Sequence, residues 1–131
     1  MPQSANECTD SASIELEPVT PYVALRHESC GDARGLTEAI RAATTTGMHD
    51  GTRVDYLDGT VFSGAESYLS VGTYVETAPH VPSDYTGMGI YYRSVQERTR
   101  DVLTTHDYLW RWDPDWFWCS RAFGAPNPVI R

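Results

Sequence analysis

The aromatic segment from Tyr108 to Cys119 constrains the fold of this chain more than any other feature. All four tryptophans of the sequence lie in it, together with Tyr108 and Phe117. A single large aromatic side chain buries about 150–250 Å² when it is covered. A segment with this density of rings therefore either closes a hydrophobic core or lines a pocket for a large flat ligand.

Length and charge narrow the class of protein. The chain has 131 residues, which predicts one domain, and its 40% hydrophobic content is sufficient for an ordinary core. The formal net charge of −8 argues against nucleic acid or an anionic membrane as a partner. No apolar run approaches the roughly 18 residues of a membrane span. The first ten residues lack the pattern of a signal peptide, so we expect a cytoplasmic protein.

Several common cofactor motifs are absent from the sequence. The three cysteines and four histidines are scattered, with no CxxC, HxxxH or HExxH spacing, so we predict no metal site. The chain has neither a GxGxxG sequence after a strand nor a Walker A motif, and every one of its ten basic residues is arginine. By itself the chain therefore offers no phosphate site for a dinucleotide.

The N-terminal third predicts strands and a helix. Residues 1–12 are polar and patternless, which indicates a disordered or foreign start. A short strand is expected around Ile14, Leu16 and Val19, followed by a second at Tyr22–Arg26. A helix near Asp32–Thr45 has Asp32 as its N-cap and ends before Gly47, the natural residue for a left-handed cap.

The middle of the chain completes an α+β pattern. The dipeptide Asp58-Gly59 is a strong hairpin signal between two apolar runs. Three strands are predicted here: Val54–Leu57, Thr60–Phe62 and Tyr68–Val75. The order strand, helix, strand, strand is the first half of a ferredoxin-like layer, so we predict an antiparallel sheet with a helix packed on one face.

The C-terminal third is harder to interpret. After a loop over residues 77–89, order returns at Ile90–Arg93, where the paired tyrosines are typical of strand packing or of a substrate contact. Val95–Leu103 is a candidate helix. His106-Asp107 is expected at the surface, and the residues 113–115 are expected to turn.

The aromatic segment itself has two interpretations. Its tryptophans can form a slot for a flavin ring or an apolar polycycle, with Tyr108 and Arg111 supplying the polar contacts. Alternatively, the segment is a strand whose even-numbered rings face the core. Spacing alone does not decide between the two, because alternation directs only half of the side chains of a strand to one side.

The same segment carries a family resemblance. Thr105–Trp118, followed by Phe123-Gly124 and Asn127–Arg131, resembles part of the FAD-linked oxidoreductases related to 24-dehydrocholesterol reductase. Gly89–Tyr92 is similar to a Tyr-Tyr element of that family. Glu17–Arg26 is similar to the strand pair that leaves its flavin-binding domain. The resemblance is collinear and covers about residues 13–131.

The resemblance implies a fold context and a function. The family has an FAD-binding domain of the vanillyl-alcohol-oxidase type and a cap domain that covers the flavin, and residues 13–131 would be part of this cap. FAD would be held by a separate FAD-binding domain or chain, and the substrate would be an apolar alkene, sterol-like or a branched lipid. We expect the isolated chain to bind no FAD tightly, to be inactive and to self-associate.

Two other functions remain open. One is a non-catalytic module that binds an apolar ligand or a protein through residues 108–118, and the other is a pseudogene product without activity. For the enzyme, the implied catalytic residues are Tyr108 and Arg111, and Arg111 and Trp116 would contact the cofactor. The implied substrate-binding residues are Tyr91, Tyr92, Trp110, Trp112, Trp116 and Trp118.

Overall fold

The structure, a computed structural model, describes residues 10–87 and 90–115. Along these residues the elements are β1 (Tyr22–Ser29), α1 (Ala33–Thr46), β2 (Met48–His49), β3 (Thr52–Arg53), β4 (Tyr56–Ser63), β5 (Glu66–Val75), α2 (Tyr91–Glu97), β6 (Arg100–Thr104), α3 (Thr105–Leu109) and a 3₁₀ turn (Asp113–Asp115). One antiparallel sheet has the strand order β4-β5-β1-β6, and β2 pairs with β3. The predicted α+β class with an antiparallel sheet is confirmed.

The sheet has two covered faces, because successive side chains of a strand point to opposite sides. On β1, Val23, Leu25 and His27 are buried on one side, and the register places His27 opposite Ser70 of β5. The same side is covered by Tyr91 of α2, and we call it the aromatic face. The other side is covered by α1, and we call it the α1 face. The predicted helix therefore lies on one face, while the later helices cover the opposite one.

The ends of α1 follow local sequence signals. The Asp32 carboxylate accepts a hydrogen bond of 2.9 Å from the Gly35 backbone N–H, which satisfies a donor that the first turn leaves without a partner. Gly47 ends the helix in the left-handed region at φ 69°, and its N–H donates to the Ala43 carbonyl. The predicted N-cap and C-cap are confirmed.

The predicted turn at Asp58-Gly59 is wrong. Both residues lie inside β4, which continues to Ser63, and the chain reverses direction between Ser63 and Glu66. A side chain at Gly59 would meet the Leu36 and Ile40 methyl groups at 3.3–3.4 Å. The glycine thus allows α1 to approach the sheet closely, and this packing outweighs the local turn preference.

Three other expectations fail in whole or in part. Ile14, Leu16 and Val19 form no strand and are exposed, since prolines interrupt this stretch and it pairs with no neighbour among the described residues. The stretch beginning at Tyr91 is helix α2 instead of a strand. Of the helix expected over Val95–Leu103, only Val95–Glu97 is helical, as the end of α2. The rest of the stretch leads into β6, because the apolar residues of β6 pair with β1.

Residues 108–115 of the aromatic segment form no strand, so the expected alternation of rings is wrong over this part of it. The Thr104 hydroxyl accepts a hydrogen bond from the Asp107 N–H, and this cap starts α3. Tyr108 is then buried, whereas Trp110 is 48% exposed. The expected turn at residues 113–115 is confirmed as the 3₁₀ turn. Trp116 and Trp118 lie outside the described residues.

Candidate functional site

A row of polar side chains crosses the aromatic face. Asp58 of β4 lies opposite Ser70 of β5, and Ser70 lies opposite His27 of β1. We call these three residues the polar row. His27 and Ser70 are both buried, and the Nδ1 atom of His27 lies 2.7 Å from the Ser70 hydroxyl oxygen. Burying polar groups costs free energy unless they are hydrogen-bonded, so this row needs an explanation on a face that is otherwise packed with apolar and aromatic side chains.

Arg111 is fixed above the polar row. Its Nη2 atom donates to Asp58 Oδ2 at 3.2 Å, and the Trp112 indole N–H donates to the same oxygen at 3.3 Å. Its Nη1 atom donates to the Tyr108 carbonyl at 2.9 Å. The guanidinium carbon lies 3.8 Å from the centre of the Tyr108 ring and 5.0 Å from that of Tyr91. These contacts hold a largely buried arginine in one orientation.

Tyr91 enters the site from α2. The backbone N–H groups of Tyr91 and Tyr92 each donate to the Asp115 carboxylate at 2.9 Å, which ties the start of α2 to the 3₁₀ turn. The Tyr91 side chain is fully buried, and its ring centre lies 4.7 Å from that of Trp112 and 6.1 Å from that of His27. Both ring pairs meet edge to face, a favourable aromatic geometry.

Four buried polar atoms on this side have no hydrogen-bond partner among the described residues. They are His27 Nε2, Thr60 Oγ1, Tyr91 Oη and Arg111 Nε. Thr60 is two residues along β4 from Asp58 and therefore faces the same side. Ser70 and Arg111 lie close enough to the Tyr91 hydroxyl to lower its pKa, yet neither reaches the geometry of a hydrogen bond. Since most buried polar atoms in proteins are paired, each of these atoms calls for a partner such as a polar ligand group or a water molecule.

Burial sets the protonation states in the site. It lowers the pKa of His27, with the Asp101 carboxylate opposing this effect and Arg111 adding to it. Burial raises the pKa of Tyr91 to about 12 despite the nearby Arg111, and it also raises the pKa of Tyr108. At neutral pH the imidazole is therefore uncharged, and both phenols keep their protons. The site presents N–H and O–H donors, while the Asp58 carboxylate already accepts two hydrogen bonds.

Asp58 is the most exposed residue of the polar row. β4 is an edge strand, and the Asp58 side chain is 30% exposed, whereas that of Arg111 is only 10% exposed. A separate depression of about 340 Å³ contains no residue of the row. It is lined by Tyr85, Ile90, Arg93, Ser94, Glu97 and Arg98.

The structure brings together part of the set of residues predicted from the sequence. Tyr91, Tyr108, Arg111 and Trp112 meet above the polar row, as described. The remaining described members do not reach it. Tyr92 is 37% exposed and packs near Phe62, with 6.5 Å between the ring centres, and Trp110 faces solvent.

Sequence reasoning missed all three residues of the polar row. His27 continues the alternation of Val23 and Leu25, and a histidine at the third position of an otherwise apolar face was the available signal. Ser70 falls within a predicted strand, but no feature of the neighbouring sequence identifies it as a site residue. Asp58 was assigned to a turn, and its partner Arg111 is distant in the sequence.

One group of side chains has the donor set for a cation. Glu28, His49 and Asp50 place one ligand atom each within 4.8 Å of one another. The Arg26 Nη2 atom lies 2.6 Å from Asp50 Oδ2 and 3.6 Å from Glu28 Oε2, so a guanidinium already balances these carboxylates. A metal ion would have to displace Arg26.

Comparisons of this chain with protein-family models, with curated proteins and with solved structures gave no match. No helix among residues 10–87 and 90–115 has the length and apolar character needed to cross a membrane. A functional assignment for the chain must therefore come from the chemistry of the site and from the resemblance stated above.

Proposed function

We propose that this chain is the substrate-side part of a cytoplasmic FAD-dependent oxidoreductase that acts on an apolar alkene, sterol-like or a branched lipid. The observation that supports the proposal is the meeting of Tyr91, Tyr108 and Arg111 in one cluster. The resemblance implies these residues as site residues, and they come from different elements of the fold. Three of the orphaned polar atoms described above lie on or beside this cluster, which suits a site that is completed by a ligand.

Each residue then has a role that follows from its surroundings. Bound FAD would supply the hydride chemistry. Asp58 balances the charge of Arg111, so Arg111 acts through a directed Nε–H and not through a net positive charge. The Tyr91 hydroxyl stays protonated and serves as a hydrogen-bond donor to the substrate. The Tyr108 and Trp112 rings exclude water from the reacting groups.

The described residues would meet FAD only at its isoalloxazine end. The Tyr91 and Arg111 donors are assigned to the substrate, so contact with that end would come from the aromatic rings of the cluster. The start of α1 does not suit the diphosphate, because the Asp32 carboxylate already occupies the Gly35 N–H and would repel a phosphate. The phosphates would therefore be held by a separate FAD-binding domain, which is the partner that the proposal requires.

The test is to join the chain to an FAD-binding domain of the vanillyl-alcohol-oxidase type and to follow the flavin absorbance without oxygen. We expect the apolar alkene to reoxidise the reduced flavin, or its saturated counterpart to reduce the oxidised flavin. Arg111→Met should slow the reaction on the order of 10²-fold, as expected for the loss of a donor to developing charge. Arg53→Met is the matched control, since that side chain is 74% exposed. A fusion that holds FAD yet reacts with neither compound would refute the proposal.

A second candidate is the non-catalytic binding module. Leu109 and Trp110 are adjacent, 59% and 48% exposed, and form an apolar projection at the end of α3. Such a projection suits contact with an apolar ligand or a protein. In that case Trp110→Ala would abolish binding, and Arg111→Met would leave it intact. The enzyme proposal predicts the reverse order of effects.

A further inference from the structure

The four unpartnered atoms on the aromatic face share one kind of chemistry. Arg111 Nε can only donate a hydrogen bond, and the Tyr91 and Thr60 hydroxyls can donate. His27 Nε2 also donates in the tautomer whose Nδ1 accepts from Ser70. A set of donors without an acceptor calls for a ligand oxygen with available lone pairs.

The charge of the site selects among such oxygens. Asp58 lies 3.2 Å from Arg111 and offsets its charge, and the pKa of the buried His27 is lowered, so the imidazole is neutral. A phosphate or another full anion would therefore lose its hydration on binding and meet little net positive charge in return. A carbonyl oxygen is neutral when it binds and becomes negative only as it reacts, and this behaviour matches fixed donors in a buried site.

We propose that Tyr91 and Arg111, with His27 of the polar row, bind the oxygen of a conjugated carbonyl, so that the alkene substrate is an α,β-unsaturated ketone or ester. The redox part of this inference rests on the proposed function, whereas the binding part does not.

Reduced flavin held by the separate FAD-binding domain would supply the hydride. The β-carbon would gain a C–H bond from it, and the electron pair of the C=C bond would shift to the bond between the α-carbon and the carbonyl carbon. The carbonyl π pair moves onto oxygen, where the Arg111 Nε–H and the Tyr91 O–H stabilise the negative charge. A proton from solvent then adds to the α-carbon and the carbonyl is restored. The alkene gains one hydride and one proton, and the flavin is oxidised by two electrons.

The test uses the full chain without flavin. The probes are an alkyl-substituted cyclohexenone and the alkylcyclohexene with the same carbon skeleton, and binding is followed by tryptophan fluorescence. We expect the enone to bind about 10-fold more tightly, which is the gain of roughly one good hydrogen bond. We also expect its carbonyl stretching band to move to lower frequency when it is bound, a shift that a purely structural role for these residues would not cause.

Variants assign the effect to the proposed donors. Tyr91→Phe and Arg111→Met should each reduce the preference for the enone and the shift of the band. Tyr68→Phe should change neither, because the Tyr68 hydroxyl bonds to Glu66 and not to the polar row. Tyr91→Phe keeps the inference testable even where Arg111→Met impairs folding.

The outcomes separate this inference from the function proposed above. An enone preference that depends on Tyr91 supports the carbonyl site, even where the FAD fusion is inactive and the proposed function fails. Equal binding of the two probes overturns the inference, since the four atoms would then hold only buried water. An enone preference that persists in both variants overturns it as well.

Discussion

The two faces of the sheet differ in how completely their buried polar atoms are hydrogen-bonded. On the α1 face the buried Ser67 hydroxyl donates to the Gly31 carbonyl at 2.8 Å and helps to anchor the turn before α1. The rest of that core consists of apolar residues such as Leu36, Leu69 and Val71. On the aromatic face four buried polar atoms have no hydrogen-bond partner among the described residues. The comparison indicates that the polar atoms of the α1 face serve the fold, while those of the aromatic face exceed what the fold requires.

The largest predicted effect lies on the α1 face. Leu69 is fully buried between α1 and the sheet, so Leu69→Ala should lower the free energy of unfolding by about 2–5 kcal/mol through lost burial and a new cavity. Denaturant titration measures this change. The folded variant should retain the enone preference. A cost below about 1 kcal/mol would mean that this face is not the stabilising one.

The next effect concerns the ion pair at the edge of the aromatic face. Asp58→Asn leaves Arg111 without its carboxylate and should cost about 1–3 kcal/mol, toward the low end because Asp58 is partly exposed. Unfolding in denaturant is again the measurement. Glu38→Gln, on the exposed side of α1, is the control and should be neutral. Equal stability of the two variants would show that Asp58 does not hold Arg111 in solution.

The titration of His27 on the aromatic face should make the free energy of unfolding depend on pH. The folded state lowers the pKa of His27 below its ordinary value of 6.5, so the unfolded chain binds more protons as the pH falls through that range. His27 therefore contributes stability that is fully present above pH 6.5 and is lost below it. His27 can contribute at most about 1.4 kcal/mol per pH unit to the slope of the unfolding free energy against pH. His27→Gln should reduce this slope relative to the parent protein. An unchanged slope would mean that the His27 side chain is exposed to solvent in the folded state.

Local signals predicted helix α1 and the central strand β1. The caps at Asp32 and Gly47 mark the helix, and the alternation of Val23 and Leu25 marks β1, because both depend on neighbours in the sequence. Gly59 shows the limit of such reasoning. Its preference for a turn is overridden by the approach of α1 to the sheet, a contact that no local pattern contains.

The aromatic face was less predictable for the same physical reason. Tyr91, Tyr108 and Arg111 were predicted as site residues from a resemblance, but their partners in the polar row depend on strand register and on contacts between distant residues. Arg111 meets Asp58 only because β4 and the end of α3 are brought together by the fold. The aromatic rings and Arg111 could be recognised as candidate site residues from the sequence. The polar row beneath them could be recognised only from the structure.

The most direct test of the central claim is the free energy of unfolding of Tyr91→Phe, compared with that of Tyr85→Phe. The two rings lie 5.4 Å apart and both are buried, but the Tyr85 hydroxyl donates to Asp101 at 2.5 Å, while that of Tyr91 has no partner among the described residues. If the Tyr91 hydroxyl is reserved for a ligand, Tyr91→Phe leaves the stability of the free protein unchanged or raises it by up to about 1 kcal/mol, whereas Tyr85→Phe costs about 1–3 kcal/mol. A loss of more than about 1 kcal/mol in Tyr91→Phe would contradict the account, because the hydroxyl would then serve the fold.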